Sequence, residues 1–476
     1  MNPNNATAAH RDRWIIVLFC VLTLGCIVLF APSGDMYVDE YGGKHVPGFF
    51  NDAVITYADQ ISGAQPVTDW HCSLYMYEGR ALHTVLEWLT GDAVDGILPQ
   101  RVFMWVADIL MLANLAYWLA LILKQNERLR WLALPLGGSM ILLHIGLGVS
   151  LDYFFTTALF SSVTCSILLY RSNSKWVRVI CGIGLVVLMW HMVEYRRNAA
   201  LLLPVFMYAL TARYMPGHKI ITKAVVGAVF TLLLYGVATH AVALCGLPVA
   251  HKPSMAPMVE SDLRIAALLE NNRAEEWARL KDNGLPVFEH EYCDSITAYW
   301  GGADVNTTDW DRVWAYYCNA WKTNTGNMLM ARALQLSQFY WSGTTPRVVE
   351  LVADAMYPQM ADNTKRWQTL RPTDIEYLYL RVLRLAVTLA TIYLCCRYVW
   401  RWLVLRSPLT AEQYLLMIIC GAATAYSVSY VVVTPTSDFR YLLPAQVLGC
   451  LVLCYLWAVK TARPCQGSLS NLYINS

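Results

Sequence analysis

Charge is what this sequence has least of. Only 15% of its 476 residues are Asp, Glu, Lys or Arg, against about 25% in an ordinary soluble domain. So few charges exclude a water-soluble surface over most of the chain. Basic runs are missing too: 36 Lys and Arg stand against 34 Asp and Glu without a concentrated block. The electrostatic footprint of a nucleic-acid binder is therefore absent. Internal repeats, low-complexity tracts and heptads are lacking, which removes solenoids and coiled coils. Trp14–Phe30, the first apolar run, lacks a good small-residue cleavage site, since Ala31-Pro32-Ser33 follows it. It is also long for a signal-peptide core, so it reads as a retained transmembrane helix.

What is abundant is apolar sequence, 57% of the chain. Runs near the ~20 residues that cross a bilayer occur at 14–31, 102–123, 132–150, 153–170, 176–193, 198–213, 220–245, 378–399, 412–433 and 440–459. The expected fold is all-α, a polytopic bundle of about ten spans. Of the fourteen cysteines, most lie in these runs, where a thiol packs as a small hydrophobe. Cys72, Cys293 and Cys318 fall in outer loops, and Cys293 with Cys318 forms a candidate disulfide. Thr373-x-x-Glu376 and Thr410-x-x-Gln413 read as capping boxes before two late spans. Pro204 makes 198–213 the weakest span.

Basic residues set the orientation. With the N-terminus cytoplasmic, Arg11/Arg13, Lys124/Arg128/Arg130, Arg171/Lys175/Arg178, Arg213/Lys219/Lys223, Arg397/Arg401/Arg406 and Lys460/Arg463 all fall on the cytoplasmic side. The C-terminus returns to the same side. Three regions result: an N-terminal membrane domain, 1–245, with a first external loop at 32–101; an external helical loop domain, 246–377; and C-terminal membrane helices with a tail, 378–476. Span interiors read as nearly free of charge, and polar residues gather on the external face. Arg196, Arg197 and Arg440 run against the positive-inside bias. Either an anionic ligand holds them there, or they pair locally, Arg197 with Glu194 and Arg440 with Asp438.

The first external loop concentrates Asp52, Asp59, Asp69, His71 and Glu78. Asn51 caps an expected helix running to Ser62, with Gly63 as its stop. Tyr57, Ala58 and Ile61 take its apolar face and Asp52, Thr56 and Asp59 the other. A second amphipathic helix is expected over about Ser73–Thr90, too polar to span and suited to the interface. In the large external loop, Ser261–Asn283 reads as one surface helix stopped by Gly284. Asp309–Thr323 and Asn327–Tyr340 read as amphipathic, aromatic-rich helices.

These residues fit glycosyl transfer, which needs a carboxylate base, cations for a donor phosphate and aromatic surfaces for sugar and lipid. Asp52 is the candidate base, with Asp69 and His71 as further catalytic candidates. Arg196, Arg197, Arg332 and Arg440 are the candidate phosphate clamps, a role suited to the guanidinium fork. Tyr57, Gln60 and Trp70 are the candidate substrate contacts, with Tyr75 and Tyr77 as further aromatic surfaces. Each has a plainer reading: a solvated Asp52, a polar turn at Asp69–His71, and Asp152 as a mere helix cap. Glu289–Asp294 reads as an ordinary polar loop, and Asn306-Thr-Thr308 is a glycosylation sequon. His144, His191 and His240 read as packed or hydrogen-bonded.

The stretches NDAVITYADQISGAQPVTDWH (51–71), YRRNAALLLP (195–204), WKTNTGNMLMAR (321–332) and SDFRYLLP (437–444) resemble a group of bacterial membrane proteins of glycosyltransferase-39-like architecture. The arrangement is similar to that of the GT-C clan of lipid-phosphate-sugar-dependent glycosyltransferases. In that clan a long first external loop carries an acidic catalytic residue and two membrane-parallel helices. The chain departs from the group at Ala53 and Cys72, where Ser and Pro are usual. Carried over, the resemblance implies a general base at Asp52 and a donor-phosphate ligand at Arg440 or Arg197. It implies a hexosyltransferase of the bacterial inner membrane that moves a sugar from a polyprenyl-phosphate donor to a glycan, lipid or protein acceptor. Membrane lipids are partners and nucleic acid is not. Some members of the clan use a divalent metal, magnesium or manganese, and others none. A lipid-linked glycan flippase or transporter and an envelope polysaccharide polymerase or ligase are the competing readings.

Overall fold

The computed structural model describes residues 3–29, 37–38, 44–45, 57–68, 73–147, 150–250, 255–270, 273–285, 310–337, 374–407, 409–432 and 442–461. The fold is all-α. Among the described residues the only strands are a two-residue antiparallel pair, β1 (Tyr37–Val38) with β2 (Lys44–His45).

The helices are α1 (Pro3–Leu29), α2 (Ala58–Ser62), α3 (Ser73–Thr90), α4 (Ile97–Gln125), α5 (Ala133–Leu147), α6 (Leu151–Arg171), α7 (Lys175–Tyr195), α8 (Leu203–Tyr214) and α9 (Ile220–Leu244). They continue as α10 (Ala256–Leu268), α11 (Arg273–Asp282), α12 (Trp310–Thr323), α13 (Thr325–Ser337), α14 (Asp374–Leu403), α15 (Ala411–Val432) and α16 (Leu443–Thr461). Among the described residues seven are long and apolar enough to cross a membrane: α1, α4, α6, α7, α9, α14 and α16. Their apolar residues face outward as well as inward. On α9, Ile221, Leu232, Leu233 and Leu244 are all more than half exposed. A helix apolar all round, with no protein against most of it, is built for contact with lipid.

Local chemistry sets the ends. Ser150 and Ser174 accept the backbone N–H of Tyr153 and Val177 and so start α6 and α7. The expected box at Thr410 is formed in both directions: Gln413 N–H donates to the Thr410 hydroxyl, and Thr410 N–H to the Gln413 amide oxygen. Gly63 (φ 84°) and Gly284 (φ 87°) take the left-handed backbone that stops α2 and α11. Pro204 sits in the first turn of α8, where its missing N–H leaves no bond unmade. The preceding residues Arg197–Leu202 are wound as a tighter 3₁₀ helix.

Two compact units divide the chain. The first is Met1–Ala250 with Thr391–Tyr426 and Pro444–Ser476. Helix α6 is central to it, with sixteen buried residues. Thr156, Ser162 and Ser166 return their hydroxyls to carbonyls four residues back, so the helix needs no outside partner for them. At one end of this unit the predicted basic clusters meet. Arg130 pairs with Asp12, and Asn126 bonds to Thr461. Arg171 bonds to Tyr455, Arg213 to the Leu169 carbonyl, and Tyr214 to the Arg178 carbonyl.

The second unit is His251–Ala390 with Ser427–Leu443. Here the single surface helix expected over Ser261–Asn283 is corrected. The chain breaks between α10 and α11, and Met258 to Ala267 are all buried. Charges that looked solvated are turned inward. Asp262 accepts from Arg332 Nε at 3.0 Å and from the Tyr317 hydroxyl at 2.8 Å, and Glu260 lies 3.9 Å from Arg264. Burial and the Asp262 charge push the Tyr317 phenol up to about 12. Glu270 accepts from the side chains of Asn324 and Asn327, tying α10 to α13.

Candidate functional site

The end of the first unit away from the basic clusters is built around α3. Its limits, Ser73 and Thr90, are those expected from its apolar stripe. Tyr75 is 1% exposed and anchors the helix among Tyr57, Phe103, Phe154 and Tyr195, with ring centroids 5.3–6.3 Å apart. It holds α3 in place and is not free to stack on a sugar. Tyr77 donates to the Pro248 carbonyl, and Arg80 lies 5.4 Å over the Tyr77 ring. Arg80 also donates to the carbonyls of Gln60 (2.6 Å) and Gln65 (2.9 Å), so α3 fixes the turn that follows α2.

That turn is packed from below. Tyr57 and Gln60 are buried, and Gln60 spends its amide on Thr68, accepting from its N–H at 3.3 Å and facing its hydroxyl at 3.4 Å. Val67 accepts from the Ala250 N–H at 2.8 Å. Ala58 presses its backbone against Gly96 at the start of α4. Asp95 then accepts from the N–H groups of Ile97 and Leu98 and caps that helix. The segment 57–68 is therefore held by α3 and by the start of α4.

Ion pairs complete this end. Glu78 on α3 reaches His191 on α7 at 3.1 Å, and the other His191 nitrogen faces the Val187 carbonyl at 2.9 Å. A protonated ring there donates twice. Asp152 is more than a helix cap: Ser150 caps α6, and Asp152, buried in its first turn, holds Arg196. Arg196, one of the candidate clamps, is thus held by a carboxylate 44 residues away. Arg197 beside it is exposed. Arg332 lies in the second unit on Asp262.

Deeper in the same bundle is a site that the sequence reading passed over. Asp108 lies inside α4, 1% exposed, although the span interiors were expected to be nearly free of charge. Its Oδ1 faces His144 Nδ1 at 3.0 Å and accepts from the Tyr153 hydroxyl at 2.6 Å. Asp108 Oδ2 and His144 Nε2 are buried without a hydrogen-bond partner among the described residues. A lone carboxylate in an apolar span was a readable signal; its partners, 36 and 45 residues away, were not.

Asp52, Asp69, Trp70, His71 and Arg440 lie outside the described residues, as do Cys293 of the candidate disulfide, Glu289–Asp294, the Asn306 sequon and Thr373. Among the described residues no group of three or more His, Cys, Asp and Glu side chains is placed to hold a metal ion. Comparison with protein-family models, with curated proteins and with solved structures finds no match to this chain.

Proposed function

We propose that this chain is an integral-membrane glycosyltransferase of GT-C type. It moves a sugar from a polyprenyl-phosphate donor to a cell-envelope glycan, lipid or protein on the external face of a bacterial inner membrane. The observation that carries the reading is the construction of the α2–α3 layer. A polar loop segment between the first two long apolar helices is clamped by Arg80, Tyr75 and the Gly96 contact. It stands at the end of the bundle that also holds Asp152–Arg196 and Glu78–His191. Chemistry on a membrane surface needs such a rigid platform, since small displacements of a reacting group cost rate steeply.

In this reading ten helices span the bilayer: the seven long ones together with α5, α8 and α15. The 3₁₀ turn 197–202 extends α8 by six residues, so the pair covers roughly 30 Å at 1.5–2.0 Å per residue. Both termini are cytoplasmic, on the side of the basic clusters, and 246–377 forms a small external helical domain. Asp52 deprotonates the acceptor hydroxyl, and Asp69 and His71 are the further catalytic candidates. Arg196 and Arg197 hold the donor phosphate, while Arg332 is spent on Asp262. Asp152 orients Arg196 by accepting from its guanidinium.

A second reading rests on Asp108–His144. A buried ionisable pair inside apolar helices is what a lipid-linked glycan transporter would use to couple movement to protons. Two assays on the purified full chain separate the readings. Transfer of label from a panel of polyprenyl-phosphate sugars to envelope lipid extracts supports the enzyme. Movement of a lipid-linked glycan across proteoliposomes without transfer replaces it with the transporter.

A further inference from the structure

Five tryptophans stand on the surface at the basic end of the first unit. Trp14 opens the apolar part of α1, and Trp131 lies in the 3₁₀ turn Glu127–Leu132 between α4 and α5. Trp176 begins α7, and Trp400 and Trp457 lie near the ends of α14 and α16. All five are between 45% and 76% exposed. Each has a cation within three residues of it in the chain: Arg13, Arg130, Lys175, Arg401 and Lys460, in the same order.

On the far side of each indole from the charges the exposed surface is apolar where the long helices continue. Val17, Leu18 and Val21 follow Trp14, Ile180 and Ile183 follow Trp176, and Tyr393 precedes Trp400. The rings therefore stand at a seam between apolar surface and charge. An indole has an apolar body and one polar N–H, which suits it to the boundary between lipid chains and headgroups. The tryptophans are spread over helices with different neighbours. Helix α1 packs on α4 and α5, and α7 on α6 and α9. The end of α16 meets the α4–α5 turn through Trp457 and Trp131, with ring centroids 6.0 Å apart. One protein partner would cover one flank, whereas a bilayer meets them all. The charge balance selects the kind of lipid. Asp12 and Glu127 pair with Arg130, and Glu412 accepts from Tyr455, while Arg13, Lys175 and Lys460 stay exposed.

We propose that this end of the unit docks on the headgroup layer of an anionic phospholipid leaflet. The five indoles sit at the level of the glycerol, and Arg13, Lys175, Arg401 and Lys460 reach lipid phosphates. The lipids are held as a ring around the helix ends, so no cavity is required. The inference rests on the membrane-spanning reading of the long apolar helices and is independent of sugar transfer.

The test is electron paramagnetic resonance of spin-labelled lipids around the full chain in phosphatidylcholine bilayers, which separates lipid held by the protein from free lipid. Labelled phosphatidylglycerol is expected to associate about threefold more than labelled phosphatidylcholine, and about 1 M salt should abolish the preference by screening the exposed cations. Arg13→Gln, Lys175→Gln, Arg401→Gln and Lys460→Gln combined should bring the ratio to about one. Lys175→Gln with Lys460→Gln, both at exposed positions that folding does not need, should remove about half of the preference. Lys281→Gln with Lys322→Gln, exposed in the second unit, should leave it unchanged. Trp176→Phe is read by quenching: the fluorescence it removes should be the part quenched by lipids brominated beside the glycerol and not by lipids brominated at the chain ends. Held lipid with equal amounts of the two headgroups would overturn the proposal and leave the membrane reading intact; no held lipid of either kind would remove that reading as well. A preference that survives Lys175→Gln with Lys460→Gln would overturn the proposal, as would an equal loss in the second-unit pair. So would removal by Trp176→Phe of fluorescence that neither brominated lipid quenches.

Discussion

The contact between α2 and α4 makes a sharp prediction, because it is a meeting of two backbones. A Cβ added at Gly96 would stand 2.1 Å from the Ala58 carbonyl oxygen and 2.8 Å from its Cα. Ordinary contact begins at 3.4 Å, so α2 must retreat by the difference, about 1.3 Å. Gly96 has an unremarkable helical backbone (φ −70°), so Ala there carries no conformational penalty and any effect is the collision itself. Overpacking costs about 1–3 kcal/mol when side chains can yield. Here neither partner can rotate away, so Gly96→Ala should cost about 3 kcal/mol. Gly79→Ala offers a graded comparison: its Cβ meets Ile61 Cγ1 at 2.7 Å, a side chain that can turn, so about 1 kcal/mol is expected. Gly138→Ala meets nothing within 4 Å and should be neutral, or stabilising by about 0.5 kcal/mol through helix propensity. Thermal unfolding of the three variants in one detergent reads the order directly. A difference of about 3 kcal/mol corresponds to several degrees in the midpoint. Identical midpoints for Gly96→Ala and Gly138→Ala would refute the packing of α2 on α4, and with it the clamp on the 57–68 segment.

Five further variants probe the charges and caps. Arg196→Gln should destabilise by about 3 kcal/mol because it takes the guanidinium away from a buried carboxylate. Asp152→Asn should cost less, since Arg196 is partly exposed and can turn outward; equal costs in thermal melts would contradict this account of the pair. Thr410→Ala removes the side-chain acceptor at the start of α15 and should lower stability by about 1 kcal/mol. Thr410→Ser, which keeps the oxygen, should not. Tyr317→Phe deletes the hydroxyl that reaches buried Asp262 and should cost about 2 kcal/mol. Unchanged protease resistance of the second unit in that variant would count against the cluster.

Element limits were legible where local rules decide them. The apolar stripe and polar flanks of Ser73–Thr90, the Thr410–Gln413 box, and the stops at Gly63 and Gly284 are contained in a few adjacent residues. The long apolar runs did the same for the membrane helices, to within a few residues at most ends. What was not legible depends on which helices touch. Glu78 and His191 are 113 residues apart, and Asp152 and Arg196 are 44 apart. Neither pairing has a local signal. The α10 segment misled for a related reason: Glu260, Asp262 and Arg264 look like a solvated face, yet all three are buried, Asp262 on Arg332 and Tyr317 of other helices and Glu260 facing Arg264 one turn on. Asp108 was readable as an anomaly but not as a hydrogen-bonded pair, because His144 belongs to a different helix.

The measurement closest to the central claim compares wild type with Asp52→Asn, both shown to be equally folded and membrane-inserted. Each is assayed for sugar transfer from radiolabelled polyprenyl-phosphate donors to envelope lipid extracts. The account predicts transfer by the wild type and its loss in Asp52→Asn with unchanged donor binding, since the substitution removes a base and keeps the shape. Full transfer by Asp52→Asn would contradict the assignment of the base, and no transfer by the wild type from any donor would contradict the enzyme itself.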